Sequence, residues 1–488
     1  MLRRHESEGH TVRRAAADPA TETDARPGGT LSARRLRWLL PGLLLVTTVT
    51  GIVGSLGSPL VPGIARSEGV SLVAAQWTLT VSLITGAVAT PVIGRLGAGR
   101  RRRPVLLTCV GLAALGAVLG ALPLGFATLI VGRILTGLAF GIVPLVISVV
   151  RTELPEHRMR RSVAAVSVAN VTAAGLGFPV TALVATFAGI RGAFWFAFAM
   201  CALAFVVALL VVPRSTEPVP PGVDWFGAVL LSVATATLLL GVSQAADWGY
   251  ASPATGAAIG AGLLLYAVCV WWLLRVRDPL VDVRIAVRRG VSAANAAGLL
   301  AGCGMYVMLS LVMVLVQTSE DHGYGLGRSV AVAGLMLTPY AAASVIGSRL
   351  ALRLGNVISA DLLLPLGCLC FGLANLVLAI WHQELWQVTL VLLIGGIGSG
   401  MTFNSMPWLM MRHVPAAETS SALSLNLVLR FLGMAIGSAL ALAILDLLAA
   451  DGMQTSHAGF VAGGLCGVGL SLVAAVLSLL LGRPRRFR

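Results

Sequence analysis

Fourteen apolar stretches, each about long enough to cross a bilayer, fill the chain from Trp38 to Leu481. A helix needs ~20 apolar residues to span a hydrocarbon core of ~30 Å. No water is available there, so the backbone must satisfy its own hydrogen bonds within each helix. The composition agrees, at 57% hydrophobic and 11% charged, with a mean hydropathy of +0.89. The expected fold is therefore all-α: a polytopic membrane protein of 14 transmembrane helices. The first six spans are expected at 38–62, 72–93, 104–124, 127–150, 162–187 and 192–213. Two more fall at 225–245 and 254–274. The last six fall at 291–316, 330–352, 359–381, 387–411, 420–446 and 459–481.

Arginine sets the expected orientation. All 35 basic residues are Arg. With the N-terminus in the cytoplasm and alternating loops, 30 of them fall on the cytoplasmic side. Only Arg66, Arg191 and Arg328 fall outside, and Arg133 and Arg430 lie within spans. Such a bias follows the positive-inside rule, and it favours an even number of spans. It also accounts for the net charge of +15. The charge sits in short loops, so its partner is expected to be the lipid bilayer, not nucleic acid.

Residues 1–36 contain almost no large apolar side chains and cannot bury a core, which predicts a disordered cytoplasmic tail. No signal cleavage is expected, so the first span stays as an anchor. All seven Cys fall in spans without metal-ligand spacing or companions, so no metal site and no cofactor are expected.

The chain repeats itself weakly at a shift of about 255 residues. Val92-Ile-Gly94 answers Val345-Ile-Gly347. Gly137-Leu-Ala-Phe140 with Pro144 answers Gly400-Met-Thr-Phe403 with Pro407. Asn170 with Gly177 answers Asn426 with Gly433. Two six-span halves around a central site are a known transporter architecture. The expected domains are the tail 1–36, an N-terminal six-helix bundle 37–213 and a two-helix insert with cytoplasmic linkers 214–289. A C-terminal six-helix bundle 290–482 and a basic cytoplasmic tail 483–488 complete the chain.

Several segments resemble motifs of one family. Gly94-Arg95-Leu-Gly-Ala-Gly-Arg100-Arg101-Arg-Arg103 resembles a cytoplasmic signature between the second and third helices. Gly132-Arg133-Ile-Leu-Thr-Gly137 resembles a signature carrying an intramembrane Arg. Gly175-Leu-Gly177-Phe-Pro179 resembles an antiporter signature of glycines before a proline. Gln76-Trp77, Asp224-Trp225-Phe-Gly227 and Leu429-Arg430-Phe-Leu-Gly433 add to the pattern. Together they make the chain similar to the fourteen-span drug:proton antiporters of the major facilitator superfamily. The resemblance covers nearly everything after residue 37. It implies multidrug efflux by alternating access across a bacterial inner membrane, with a small-molecule substrate, a proton or other coupling ion, and a monomeric carrier. It also implies a bend at Gly175, Gly177 and Pro179 where the halves meet. Two departures stand out. Neutral Gly97-Ala98-Gly99 replaces the acid that helps lock one conformation in the family, so this chain must lock differently or less firmly. The first span also lacks the carboxylate often found there.

None of the 20 acids falls clearly at mid-membrane, so the expected core holds cations without anions. An Arg at a helix centre costs ~2.5–3.5 kcal/mol on insertion scales and usually faces a cavity or a partner. Arg133 is expected about 9 Å from the outer end of its span, and Arg430 about 15 Å from the cytoplasmic end. Either could instead be capped by carbonyls for packing alone. Asn170, Asn404, Asn426 and Gln76, with Trp77, are expected to line the cavity, the amides otherwise satisfying one another across helices. Tyr306 and Tyr340 could stack on a planar substrate or simply pack. Without an acid at depth, proton coupling falls to a peripheral acid, with Glu153 and Asp224 as candidates.

An enzyme is not expected. The chain has no Lys and hence no phosphate-binding Gly-x-x-x-x-Gly-Lys loop. No base lies at depth to activate a nucleophile. Two functions stay open: a secondary transporter exporting amphipathic compounds, and a non-transporting receptor or scaffold that kept the fold. A cavity with Arg133 and Arg430 and no acid would favour neutral or anionic cargo over cations.

Overall fold

The computed structural model describes residues 33–482, apart from 55, 57–59, 71, 216–217, 219–223, 321–324, 356, 416–417 and 449–456. Most of the expected N-terminal tail and the basic segment 483–488 thus lie outside the described residues. All regular structure among the described residues is helical. Thirteen helical segments are long and apolar enough to cross a membrane.

In the first half, α1 (Ala33–Gly54), the short α2 (Val61–Glu68), α3 (Leu72–Leu96) and α4 (Arg102–Ala121) come first. Next are α5 (Phe126–Gly137), α6 (Ile142–Glu153) and the long α7 (Glu156–Val211). The insert holds α8 (Trp225–Ser243), α9 (Ala245–Trp248), α10 (Pro253–Arg275) and α11 (Val283–Ala286). The second half holds α12 (Val291–Gln317), α13 (Val330–Leu335), α14 (Leu337–Leu354), α15 (Ala360–Ile380), α16 (Leu385–Met411), α17 (Thr419–Leu447) and α18 (His457–Gly482).

Two boundaries correct the sequence reading. The first span was expected to run through Pro62, but α1 stops at Gly54 and Val61 opens α2. Pro62 suits the first turn of a helix, where its missing N–H costs nothing. At the other end α1 starts at Ala33, inside the expected tail, because Ala, Arg and Leu all favour helix. The 127–150 span also holds a break. A tight 3-10 turn at Leu138–Gly141 joins α5 to α6.

The 56 residues of α7 would make a rod of about 84 Å if straight, well over twice a hydrocarbon core. Gly189 breaks it with φ 71° and ψ 179°, a conformation that favours glycine. Two arms result, 156–188 and 190–211.

Similar packing recurs in the two halves. α1 packs along α7, as α12 packs along α17. α4 packs against α5 and the second arm of α7, as α15 packs against α16 and α18. The halves meet along two seams, α3 with α17 and α7 with α14. Glycine permits both crossings: a Cβ on Gly94 would strike the Ser424 hydroxyl, and one on Gly175 would strike the Cβ of Ala341. The insert is not a mere connector. α8 lies against both α3 and α17, over the first seam, and α10 packs on the outside of α8.

Exposed tryptophans form two belts. Trp38, Trp225 and Trp271 sit at the Arg-rich end of the bundle, and Trp195, Trp248, Trp381 and Trp386 at the other. Tryptophan collects at the two water interfaces of a bilayer. With the family reported below, this makes the protein a multi-pass membrane protein.

Candidate functional site

A cavity of about 480 Å³ lies between the halves, within the range of small-molecule sites. Its walls come from the first arm of α7 (Asn170, Ala174, Gly175), from α12 (Met305, Tyr306, Ser310), from α14 (Tyr340), from α16 (Ser399, Phe403) and from α17. The α17 contribution is a stripe at every fourth residue: Arg430, Met434, Ser438 and Leu442. Residues four apart share one helix face, so a single face of α17 supplies the charge, a flexible thioether, a hydroxyl and an apolar rim.

Arg430 is the one charged side chain in this lining. Its guanidinium carbon sits 4.7 Å from the centroid of the Phe403 ring, a cation–π contact. Its Nε is buried without a hydrogen-bond partner. Tyr340 turns its hydroxyl to the Met305 sulfur at 2.9 Å. The site is thus a largely apolar chamber with one fixed cation, a few hydroxyls and one side-chain amide. It is suited to a ligand with an acceptor-rich or anionic head.

The other residues expected from the sequence go elsewhere. Arg133 is 1% exposed and absent from the cavity wall. Its Nε donates to the Thr78 carbonyl at 2.9 Å, while both Nη atoms are buried without partners. Asn404 donates to the Ser348 carbonyl at 3.1 Å, tying α16 to α14. Asn426 donates to the Ala294 carbonyl at 2.9 Å and to Asn295 Oδ1 at 3.3 Å, tying α17 to α12. Trp77 lies near the start of α3, away from the cavity lining. The side chain of Gln76 is outside the described residues. Of the expected set the cavity gathers Arg430, Asn170, Tyr306 and Tyr340. Phe403, Met434 and Ser438 were not foreseen, although the four-residue stripe running from Arg430 along α17 would have reached the last two.

The cavity lies in the half of the bundle away from the Arg-rich loops. At the Arg-rich end the halves are pinned together. Arg95 Nη1 pairs with Glu418 Oε1 at 2.9 Å. Arg151 Nη2 donates to the carbonyls of Met411 (3.0 Å) and Val414 (2.8 Å), and its Nη1 to Thr419 Oγ1. These carbonyls close the C-terminal end of α16, where a cation complements the helix dipole. Behind the pins, Arg102 donates to Thr152 Oγ1 at 2.7 Å, while Arg100 and Arg101 are exposed. The missing signature acid is thus matched by a different arrangement: an acid at the head of α17 facing an Arg at the foot of α3. Glu418 and Arg151 carried no sequence signal, because Glu418 lies 323 residues from Arg95 and Arg151 at least 260 from its partners.

The pins lend themselves to a measurement. Glu418 is 27% exposed, so the ion pair is worth about 1 kcal/mol or less. Glu418→Gln should change transport by no more than about fivefold. Arg151→Ala, which strips several bonds at once, should cost more. Transport rates of the two variants, normalised to membrane amount, check this ordering.

Asp224 and Glu153 lie outside the cavity. Asp224 caps α8, accepting from the Gly227 N–H at 2.8 Å and from the Trp272 indole at 3.2 Å. Glu153 closes α6, two residues beyond Arg151. Pro179 sits inside the first arm of α7, and Gly177 is buried beside it. Gly137 lies against the Ser82 carbonyl, where a Cβ would come within 2.5 Å. Among the described residues, no cluster of three or more His, Cys, Asp or Glu could hold a metal ion.

Two helical halves around a cavity pinned shut at one end define a membrane transporter rather than an enzyme. The chain belongs to the Major Facilitator Superfamily, whose model matches residues 43–438. It is similar to a triacylglyceride transporter of Mycolicibacterium smegmatis, 31% identical over 74% of this chain and 66% of that one. It thus spans just under two thirds of that relative's length. A triacylglyceride transporter of Mycobacteroides abscessus is 28% identical over 86% of this chain and 84% of its own. Among solved structures, the human organic anion transporter MFSD10 shares the fold. Its TM-score is 0.65 at 17% identity, covering 91% of this chain and 99% of that chain.

Proposed function

We propose that this protein is a secondary transporter of the fourteen-span drug:proton antiporter type. It exports neutral or anionic amphipathic compounds from a bacterial cytoplasm by alternating access. The observation that carries the reading is Arg430, stacked on Phe403 in an otherwise apolar cavity whose lining holds no carboxylate. In such a site screening is weak, so a monocation is repelled and an anionic or acceptor-rich head is drawn in. Relatives named for a triacylglyceride support an apolar cargo without a positive charge. The Arg-rich, pinned end is cytoplasmic by the positive-inside rule, so the structure is the outward-facing form. The two peripheral acids at the Arg-rich side, Glu153 at the end of α6 and Asp224 at the head of α8, are the candidates for carrying the coupled proton. Export of a matched cationic and anionic dye into inverted vesicles tests the reading. Export of the anion is expected to prevail, with dependence on the pH gradient lost in either Glu153→Gln or Asp224→Asn. Dominant export of the cation would overturn it.

The topology has its own test. With fourteen spans, both arms of α7 cross the membrane and both termini are cytoplasmic. Reporters fused at Arg488 and in the 446–458 loop are expected to report the cytoplasm and the periplasm respectively. A periplasmic signal at Arg488 would refute the arrangement.

A further inference from the structure

Beside the central cavity lies a second chamber of about 260 Å³, in the seam between α3 and α17. Its walls are mainly apolar: Leu83 and Ile84 of α3, Leu239 and Val242 of α8, Phe431 and Ala435 of α17. Three observations bear on its use. First, it adjoins the central cavity, since Tyr306, Met434, Ser438 and Leu442 line both. Second, the two seams differ. The α7–α14 seam is closed at Gly175 against Ala341, whereas α3 and α17 touch at Gly94 near the Arg-rich end and leave the chamber between them farther along. Third, α8 of the insert walls that gap. Leu239 and Val242 are buried there beside α3 and α17, although Leu83 is 43% exposed.

We propose that the insert converts this gap into a receptor for the aliphatic tail of the transported molecule, while its head sits at Arg430. This rests on the anionic-amphiphile reading above and adds the insert's role to it. A six-helix half has no wall at that place, and a tail lying there would face open lipid. With α8 present the tail is held against protein, and the chain length of the cargo becomes something the carrier distinguishes. The side chamber supplies no charge and no carboxylate, so it cannot select the head. Selection is thereby divided: Arg430 and Phe403 read the head, and α3, α8 and α17 read the tail.

A fatty acid carrying a diazirine at its terminal carbon tests this on the purified full-length carrier in lipid nanodiscs. On irradiation, label is expected on the peptides holding Leu239, Val242, Phe431 and Ala435, competed by the unlabelled fatty acid. Ala435→Phe fills the chamber without touching the central cavity. It should lower the α8 label about tenfold, the equivalent of about 1.4 kcal/mol. Transport of a short-chain alkyl sulfonate should stay near its original rate. Ala439→Phe, one turn along, repeats the test should the first variant fold poorly. Label spread over the outer faces of α10, α15 and α18, or α8 label not competed by the fatty acid, overturns the proposal, because the chamber then holds bilayer lipid. Arg430→Ala separates the two readings. Lost transport of the sulfonate with no α8 label in the original protein refutes the tail chamber and leaves the head reading intact. Competed α8 label with transport indifferent to Arg430→Ala refutes the head reading and leaves the tail chamber standing.

Discussion

Gly94→Leu is expected to hold the Arg-rich end of the carrier open and to stop its cycle. A Cβ at this position meets the Ser424 hydroxyl and comes within 3.1 Å of the Ser420 carbonyl. Backbone cannot yield as a flexible side chain can, so α3 and α17 must part there. Overpacking of this kind costs about 1–3 kcal/mol, which shifts a two-state balance by about 5- to 150-fold. The cost falls only on the conformer in which the helices touch. The variant should therefore reach the membrane in ordinary amounts while efflux falls about tenfold or more. A milder pair isolates the contact. Gly94→Ala should impair efflux, and adding Ser424→Gly should restore much of it, because the struck hydroxyl is gone. Equal efflux by Gly94→Leu and the original protein would show that this crossing does not take part in the cycle.

Arg430→Ala is expected to have the second large effect, and one that depends on the cargo. Hydrogen bonds to charged groups contribute about 1.5–3 kcal/mol, so export of an anionic dye should fall about 10- to 150-fold. Export of a neutral dye of similar size should change far less, since Phe403, Tyr306 and Tyr340 remain. Arg430→Lys keeps the charge but loses the planar stack on Phe403, and should recover only part of the anion's rate. Arg133→Ala differs in kind. Arg133 is fully enclosed and braces α5 to α3 through the Thr78 carbonyl. Its removal should change the amount of folded protein more than the ratio of anion to neutral export. Protein level by immunoblot and paired dye rates distinguish the two cases.

The two arginines show where a linear reading stops. Both stand in apolar spans, both carry the same cost of burial, and both lie within three residues of a family-like glycine, Gly132 before Arg133 and Gly433 after Arg430. Sequence therefore treats them alike. The fold separates them by the side of the helix each occupies and by what lies opposite. Arg430 shares a face of α17 with Met434 and Ser438 and looks into the cavity. Arg133 is turned toward α3. The asparagines divide the same way. Asn170 reaches the cavity, whereas Asn404 and Asn426 spend their amides on carbonyls of neighbouring helices.

The spans, their order and the Arg-rich end were legible because a bilayer imposes a local rule. Each crossing must be apolar over its own ~20 residues, and each helix closes its own hydrogen bonds. No long-range information is needed, so α3, α12, α16 and α17 lie close to where hydropathy placed them. The lock was different. Arg95 with Glu418, and Arg151 with the end of α16, join groups more than 250 residues apart. Arg95 stood in a recognisable motif, but neither Glu418 nor Arg151 is unusual in its own neighbourhood. The same holds for the insert, whose sequence says only that it crosses the membrane. That α8 lies over the α3–α17 seam, and so shapes a chamber, follows from packing between helices. Between membrane helices that packing rests on close van der Waals fit, not on a hydrophobic difference that composition could record.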